Sequence, residues 1–380
     1  MLMLDSIAID FVGTNLGSGS RSYNLNFCNE LSFFQLKKNI KIFICKNYYS
    51  HLNYSIKKNR KIEIILKPNF LSIGIIRLLW IQFILPFELK YLGIKKLYSS
   101  LNFSPVIAKF LGIKVVLCCH SNLPWVYFNL MPGNLVRNFF VKMLMELSIY
   151  YCDILIVNSY YAKKELINIL RLNKKKIYVV YLGISRIFFS KKNKKIHNFN
   201  YKKKYILSVI SCVRYHNIIN ILKAFNLLNN DLNIRLILVL QVLDKSYFLD
   251  IIRFIENNSL KNKITILTNL TFDKLPELYR KAELYVFTSY CEVFGLTSLE
   301  AMSQKTPVLI SNRSALPEIN GKAAMYFNPD NVEEIYKQFK KVLLNKKLQF
   351  NLIQNGNKIF KKYNNKKNIQ KTLNIIDSLK

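Results

Sequence analysis

The sequence predicts an α/β chain folded as two domains, each a parallel sheet covered by helices. Three observations predict it. The chain has 380 residues, beyond the size at which one hydrophobic core keeps growing, and 51% of them are hydrophobic, which argues against a disordered chain. Short apolar runs rich in β-branched residues alternate with longer helical patterns almost throughout, the order of repeated βαβ units. Between residues 186 and 204 the alternation breaks into a basic, Asn-rich stretch without apolar period, as a connector does.

In the first half, residues 3–9 read as a strand, 21–36 as a helix and 41–45 as a strand. Further strands fall at 115–119, 154–157 and 177–180, the last two separated by a helix near 161–170. After the connector come strands at 205–210, 234–240, 263–268, 284–287 and 307–310, with helices between them such as 218–228. Such continuous apolar strands suit parallel sheets buried on both faces. Two amphipathic, Lys-rich helices, 332–344 and about 367–379, close the chain. The expected division is a Rossmann-like domain over 1–185, a linker over 186–204, a second Rossmann-like domain over 205–360, and a last helix over 361–380 that can return to the first domain.

The formal charge is +35, from 57 basic and 22 acidic residues, and it would attract phosphate-rich ligands, nucleic acid or an anionic membrane surface. Much of it sits in Lys runs of the kind that form solvated faces or linkers. Seven scattered cysteines include no CxxC pair and no zinc-like spacing with His, so a reduced, cytosolic compartment is expected. The first residues lack a basic n-region and Asp5 interrupts the apolar run, so no cleaved signal peptide is expected. Residues 70–85 are largely apolar, with Arg77 in their middle, but fall short of the roughly 20 that a spanning helix needs. Residues 73–92 read instead as an amphipathic helix, either packed into the core or facing a membrane.

Ligands of open α/β sheets bind beyond the carboxyl ends of the strands, so the residues just after strands carry the candidate chemistry. The loop after the first strand holds Gly17 and Gly19, where backbone can approach a phosphate or sugar closely; it lacks a full GxGxxG and a GxxxxGK. His120 ends the strand at 115–119, as a hydroxyl ligand or acid–base group, or as a satisfied structural histidine. Arg214 and His216 follow the strand at 205–210, where an Arg can grip phosphate or simply face solvent. Glu292 and Glu300 flank a Gly-containing helix start after the strand at 284–287. One sits in the loop and the other about two turns inside the helix, a pattern in which an anion meets backbone N–H groups and the carboxylates meet hydroxyls. Two surface acids are the plainer reading, but acids are scarce here and the surrounding segment is apolar. Cys291 has no His partner at a recognisable spacing and reads as a wall residue.

The segment from Glu292 through Phe294, Gly295, Leu296, Thr297 and Glu300 to Gly321 closely resembles the Glu-x7-Glu block of retaining glycosyltransferase family 4, the glycosyl transferases group 1. Residues 153–159, 164–165, 179–184 and 275–282 resemble further segments of that family. The resemblance implies two Rossmann-like domains facing each other across a cleft, the GT-B fold. It also implies a donor held mainly by the C-terminal domain and no metal ion or other cofactor, in keeping with the absence of a DxD sequence. By position, Glu292 would contact donor-sugar hydroxyls and His120 the donor hexose. Backbone at Phe294, Gly295, Leu296 and Thr297 would meet sugar and phosphates, Glu300 would hold the ribose, and Gly17 to Gly19 would approach the phosphates. Glu292 and His120 would be the catalytic pair. Many members carry an Arg and a Lys where this chain has Ser211 and His216, so phosphate binding would pass to Arg214 with a protonated His216, or activity would be weak.

The resulting expectation is a cytoplasmic hexosyltransferase, peripheral on the membrane face, that transfers from a UDP-, GDP- or ADP-sugar to a lipopolysaccharide, capsule or other lipid-linked glycan. Two rivals remain: a nucleotide-sugar epimerase of the same fold, and a basic nucleic-acid-binding protein. For the second, neither stacking aromatics interleaved with Lys nor a recognition helix is found, so no nucleic-acid partner is expected.

Overall fold

The computed structural model describes residues 6–13, 19–190, 196 and 203–379. Its first sheet contains seven strands: β1 (Ile7–Asp10), β2 (Ile40–Cys45), β3 (Ile62–Lys67), β4 (Lys96–Ser99), β5 (Lys114–Cys119), β6 (Ile154–Val157) and β7 (Ile177–Val179). They pair in the order β3-β2-β1-β4-β5-β6-β7, all parallel. The second sheet contains β8 (Tyr205–Cys212), β9 (Arg235–Val242), β10 (Ile264–Thr268), β11 (Leu284–Phe287), β12 (Val308–Ser311) and β13 (Met325–Phe327), in the order β10-β9-β8-β11-β12-β13, again all parallel. Parallel strands need a crossover between neighbours, and the helical segments supply it. β1, β4, β6, β11 and β12 are buried along their whole length, so each sheet is covered on both faces.

The chain divides into two compact units, one comprising residues 1–122, 139–182 and 365–380, the other 123–138 and 183–364. Most of the expected connector at 186–204 lies outside the described residues. The last helix, Asn365–Asp377, packs on the helix Gly19–Leu31 within the first unit. Buried Lys96 on β4 holds it there, its ammonium donating to the carbonyls of Leu379 and, at 3.4 Å, Asp377. A cation at a helix C-terminus satisfies carbonyls that have no helical partner and opposes the negative end of the dipole.

The first strand, expected at 3–9, is described from Ile7 to Asp10, with residues 1–5 outside the described residues; the other expected strands differ in their boundaries by at most two residues, and the first helix ends at Leu31, five residues early. Three strands are additional. β3 carries Glu63 and Lys67, β4 begins with a lysine, and β13 has three residues, so none presents a long apolar run. The helix expected at 73–92 is broken into Gly74–Leu79, a π-helical turn Trp80–Ile84, and Leu85–Tyr91. Pro86 explains the break: it has no N–H to offer the carbonyl four residues back, and the preceding turn widens. Its inner face is fixed by Arg77, whose Nε donates to the Val12 carbonyl (2.5 Å) and whose guanidinium pairs with buried Asp10 (3.2 Å). Core packing accounts only for that inner face. Ile75, Leu79, Phe83, Phe87 and Tyr91 are all more than half exposed.

Candidate functional site

In the second sheet the strand order reverses between β8 and β11, which are neighbours, and the carboxyl ends of such a pair form the crevice where open sheets bind ligands. The loop after β8 carries Arg214 and His216; the loop after β11 carries Cys291, Glu292 and the helix Leu296–Ser303. The two loops are laced together. Buried Thr288 donates to the carbonyls of His216 (2.8 Å) and Asn217 (3.1 Å), and the Tyr290 amide donates to the Tyr215 carbonyl (2.9 Å).

Glu292 is held from its backbone: its amide donates to Ser314 Oγ (2.9 Å) and its carbonyl accepts from the Ala315 amide (3.1 Å). Its Oε1 lies 3.2 Å from His216 Nε2, and His216 Nδ1 lies 2.6 Å from the Ser211 carbonyl oxygen. Arg214 is turned elsewhere, pairing with Asp250 (3.0 Å) and Asp244 (3.8 Å) and donating to Ser246 Oγ (3.2 Å). It is nearly half exposed.

Gly295 caps the helix that follows, with φ +86° and ψ 53°, a left-handed conformation that glycine adopts without penalty. A Cβ there would lie 2.4 Å from Leu316 Cδ2. Gly295→Ala is therefore expected to lower stability by about 1–3 kcal/mol, from backbone strain and crowding together, read as a reduced urea midpoint at unchanged m-value. Leu296 and Thr297 open the helix, where amides have no carbonyl four residues back and the dipole is positive. Thr297 Oγ1 accepts from the buried Tyr285 hydroxyl (2.7 Å). Phe294 is buried edge-on against Tyr363.

Glu300 lies one turn into the helix, buried, and its Oε2 accepts from the Tyr279 hydroxyl at 3.2 Å. Loss of solvation drives its pKa from 4.5 up to about 8, against the opposing pull of the Tyr279 hydrogen bond. Tyr279 and Tyr285 thus support the two ends of this helix. Sequence reading did not select them, because an aromatic in a helix or on a strand looks like ordinary core.

In the first unit, His120 follows β5 and its amide donates to Asn102 Oδ1 (2.6 Å). Its ring packs edge-on against Tyr23, its Nε2 is buried without a hydrogen-bond partner, and burial lowers its pKa to about 4. It is a neutral imidazole at physiological pH, suited to hydrogen bonding and not to donating a proton from the charged form. Gly19 opens the helix Gly19–Leu31; Gly17 lies outside the described residues. Among the described residues, no three His, Cys, Asp or Glu side chains gather as a metal would require. Cys291 is buried and unbridged.

Comparison with known proteins places this arrangement. Residues 189–359 match the glycosyl transferases group 1 and residues 37–186 match glycosyltransferase family 4. The O-antigen chain mannosyltransferase RfbU of Salmonella typhimurium is 28% identical over 211 residues, 56% of each chain, and O-antigen chain mannosyltransferase B of Escherichia coli is 34% identical over 120 residues, 31% of each chain. The chain thus spans about half the length, or less, of these curated relatives. Among solved structures, the sucrose-phosphate synthase of Thermosynechococcus elongatus superposes with a TM-score of 0.78 at 15% identity, covering 99% of both chains. WaaG, a glycosyltransferase involved in lipopolysaccharide biosynthesis, superposes at 0.73 and 13% identity, covering 98% of this chain and 100% of that one. The chain has the two-domain GT-B fold of these glycosyltransferases. The two matched segments lie end to end over most of its length, and it belongs to glycosyltransferase family 4.

Proposed function

We propose that this protein transfers a hexose, mannose first among candidates, from a nucleoside-diphosphate sugar to a lipid-linked surface glycan, with retention at the anomeric carbon and without a metal ion. One observation carries the reading: two carboxylates flank a glycine-capped helix start at the switch point of the second sheet. The helix amides and dipole meet the diphosphate, whose charge grows as the bond to the sugar breaks, which is the work a metal would otherwise do. Glu292 receives sugar hydroxyls and Glu300 the ribose diol, with the backbone at Phe294 to Thr297 between them. Arg214, on the loop after β8, completes the proposed contacts in this unit. The names of the O-antigen mannosyltransferases support the sugar and the acceptor class, and an Anabaena structure bound to UDP and glucose, with a TM-score of 0.73, supports a nucleotide-sugar donor.

A donor screen tests this. Melting temperature is measured with UDP-, GDP- and ADP-sugars, because a ligand that binds only the folded state at 100 times its Kd adds about 2.7 kcal/mol. GDP-mannose is expected to give the largest upward shift, followed by mannosyl transfer to a lipid-linked acceptor with the anomeric configuration kept. No shift with any nucleotide sugar would end the proposal, and conversion of the donor without an acceptor would replace it with epimerisation.

We further propose that the reaction takes place at the cytoplasmic membrane face. No helix of the described residues is long and apolar enough to cross a membrane. The broken helix over 74–91 presents Ile75, Leu79, Phe83, Phe87 and Tyr91 outward, with Lys90 and Lys95 exposed beside them. That is the composition of an interfacial helix. Co-sedimentation is expected with phosphatidylglycerol-containing vesicles, weakened at least about 100-fold by Phe83→Ser with Phe87→Ser, since each phenyl ring contributes on the order of 1.5–3 kcal/mol when buried. Equal binding to neutral and anionic vesicles would count against the site.

A further inference from the structure

The ring of His216 is 7% exposed and held at both nitrogens. A carbonyl oxygen only accepts, so the 2.6 Å contact to Ser211 makes Nδ1 an N–H donor. In a neutral ring Nε2 would then turn a lone pair toward Glu292 Oε1 at 3.2 Å, two acceptors face to face. A second ring proton, which makes Nε2 a donor as well, removes the conflict. The rings of Tyr215 (4.3 Å) and Phe287 (5.7 Å) flank the imidazole, the Tyr215 phenol is kept neutral by burial and by Glu292, and Arg214 is engaged with Asp244 and Asp250.

We infer that His216 is a positioning residue for Glu292: as an imidazolium anchored on the Ser211 carbonyl, it grips carboxylate Oε1 and directs Oε2 to the transferred sugar. The inference deepens the proposed function and rests on it for the role of Glu292. It gives this chain a carboxylate clamp at the position where many family members carry a lysine. It also moves His216 from the diphosphate, where sequence reading expected it, to the sugar end of the site.

The test separates the two ends of the donor. UDP, GDP and ADP, which lack the sugar, are titrated calorimetrically into the wild-type protein and into His216→Gln and His216→Lys, and transfer is measured from pH 5.5 to 8.5. In His216→Gln, diphosphate affinity is expected to stay within twofold of wild type while kcat falls about tenfold. A loss of activity toward alkaline pH is expected in wild type and should flatten in this variant, because an amide keeps its N–H at every pH. A tenfold weaker diphosphate complex in His216→Gln, restored by His216→Lys, would overturn the inference and make His216 a phosphate cation. The unmutated protein gives an independent reading that needs neither folding of a variant nor activity. Of its four histidines, His216 should show both ring nitrogens protonated in 15N spectra at pH 6, and a neutral ring there would overturn the clamp. If no nucleoside diphosphate binds wild type, the functional reading fails by itself while the spectrum still decides the ion pair.

Discussion

Glu292→Ala is expected to reduce transfer by at least about 100-fold while the protein stays folded. A hydrogen bond to a charged group contributes about 1.5–3 kcal/mol, and Glu292 is proposed to make such bonds where the sugar acquires positive character, so the loss falls on kcat. At 1.36 kcal/mol per decade, losing two such contacts amounts to roughly 10²- to 10⁴-fold. The backbone should be little affected, because the loop is held by its own amide and carbonyl, through Ser314 and Ala315, and not by the carboxylate. Glu292→Gln should lie between, since it keeps an oxygen for the sugar but not the charge. Circular dichroism and a melting curve check the fold, and initial rates with saturating donor check the effect. Full activity in the alanine variant would remove Glu292 from the site.

Glu300→Gln should have two opposed effects, a more stable protein and a weaker donor complex. In the folded protein the Glu300 carboxyl keeps its proton up to about pH 8, whereas in the unfolded chain it ionises from about pH 4.5. The unfolded state therefore gains by ionisation as pH rises between these values, and the folded state does not. Any stability the protonated carboxyl provides is fully present below pH 4.5, declines as pH rises, and is gone above about pH 8. A glutamine at the same place does not titrate and can still accept from the Tyr279 hydroxyl. The variant is thus expected to melt with wild type at pH 4 and several degrees above it at pH 8, a difference on the order of a few kcal/mol. Binding should move the other way. A ribose diol offers two donors that an ionised carboxylate accepts and an amide accepts only in part, so nucleoside diphosphate affinity falls about 10- to 100-fold. Since the diol favours the ionised carboxylate, binding to wild type at pH 7 should release close to one proton. Calorimetry in buffers of different ionisation enthalpy reads that release, and a buffer-independent enthalpy would refute the assignment.

Much of the fold could be read from the chain because its strands are apolar on both faces and β-branched, as runs such as Ile206-Leu207 on β8 and Leu236-Ile237-Leu238 on β9 show. The elements that were missed depend on packing that no short window reveals. β4 starts with Lys96, a poor strand signal by itself, and that lysine is buried because a helix 281 residues away ends above it. The π-helical break at Trp80–Ile84 is local in origin, in Pro86, but only the structure shows which face it turns outward.

The candidate site divides the same way. Glycine at 295, a carboxylate on either side and a strand just before them were enough to locate the helix start and both acids, because backbone geometry and spacing are local properties. Chain order alone thus fixed the α/β class, the two sheets, the family resemblance and the positions of Glu292 and Glu300. Partnership is a tertiary matter. His216 and Glu292 are 76 residues apart and meet only because β8 and β11 lie side by side, which turns an expected phosphate ligand into a contact of the Glu292 carboxylate. Arg214 finds Asp244 and Asp250 for the same reason, across the β8 and β9 ends. Burial, likewise a property of the assembled sheet and helices, takes Glu300 from an ordinary acid to one that holds its proton near neutrality.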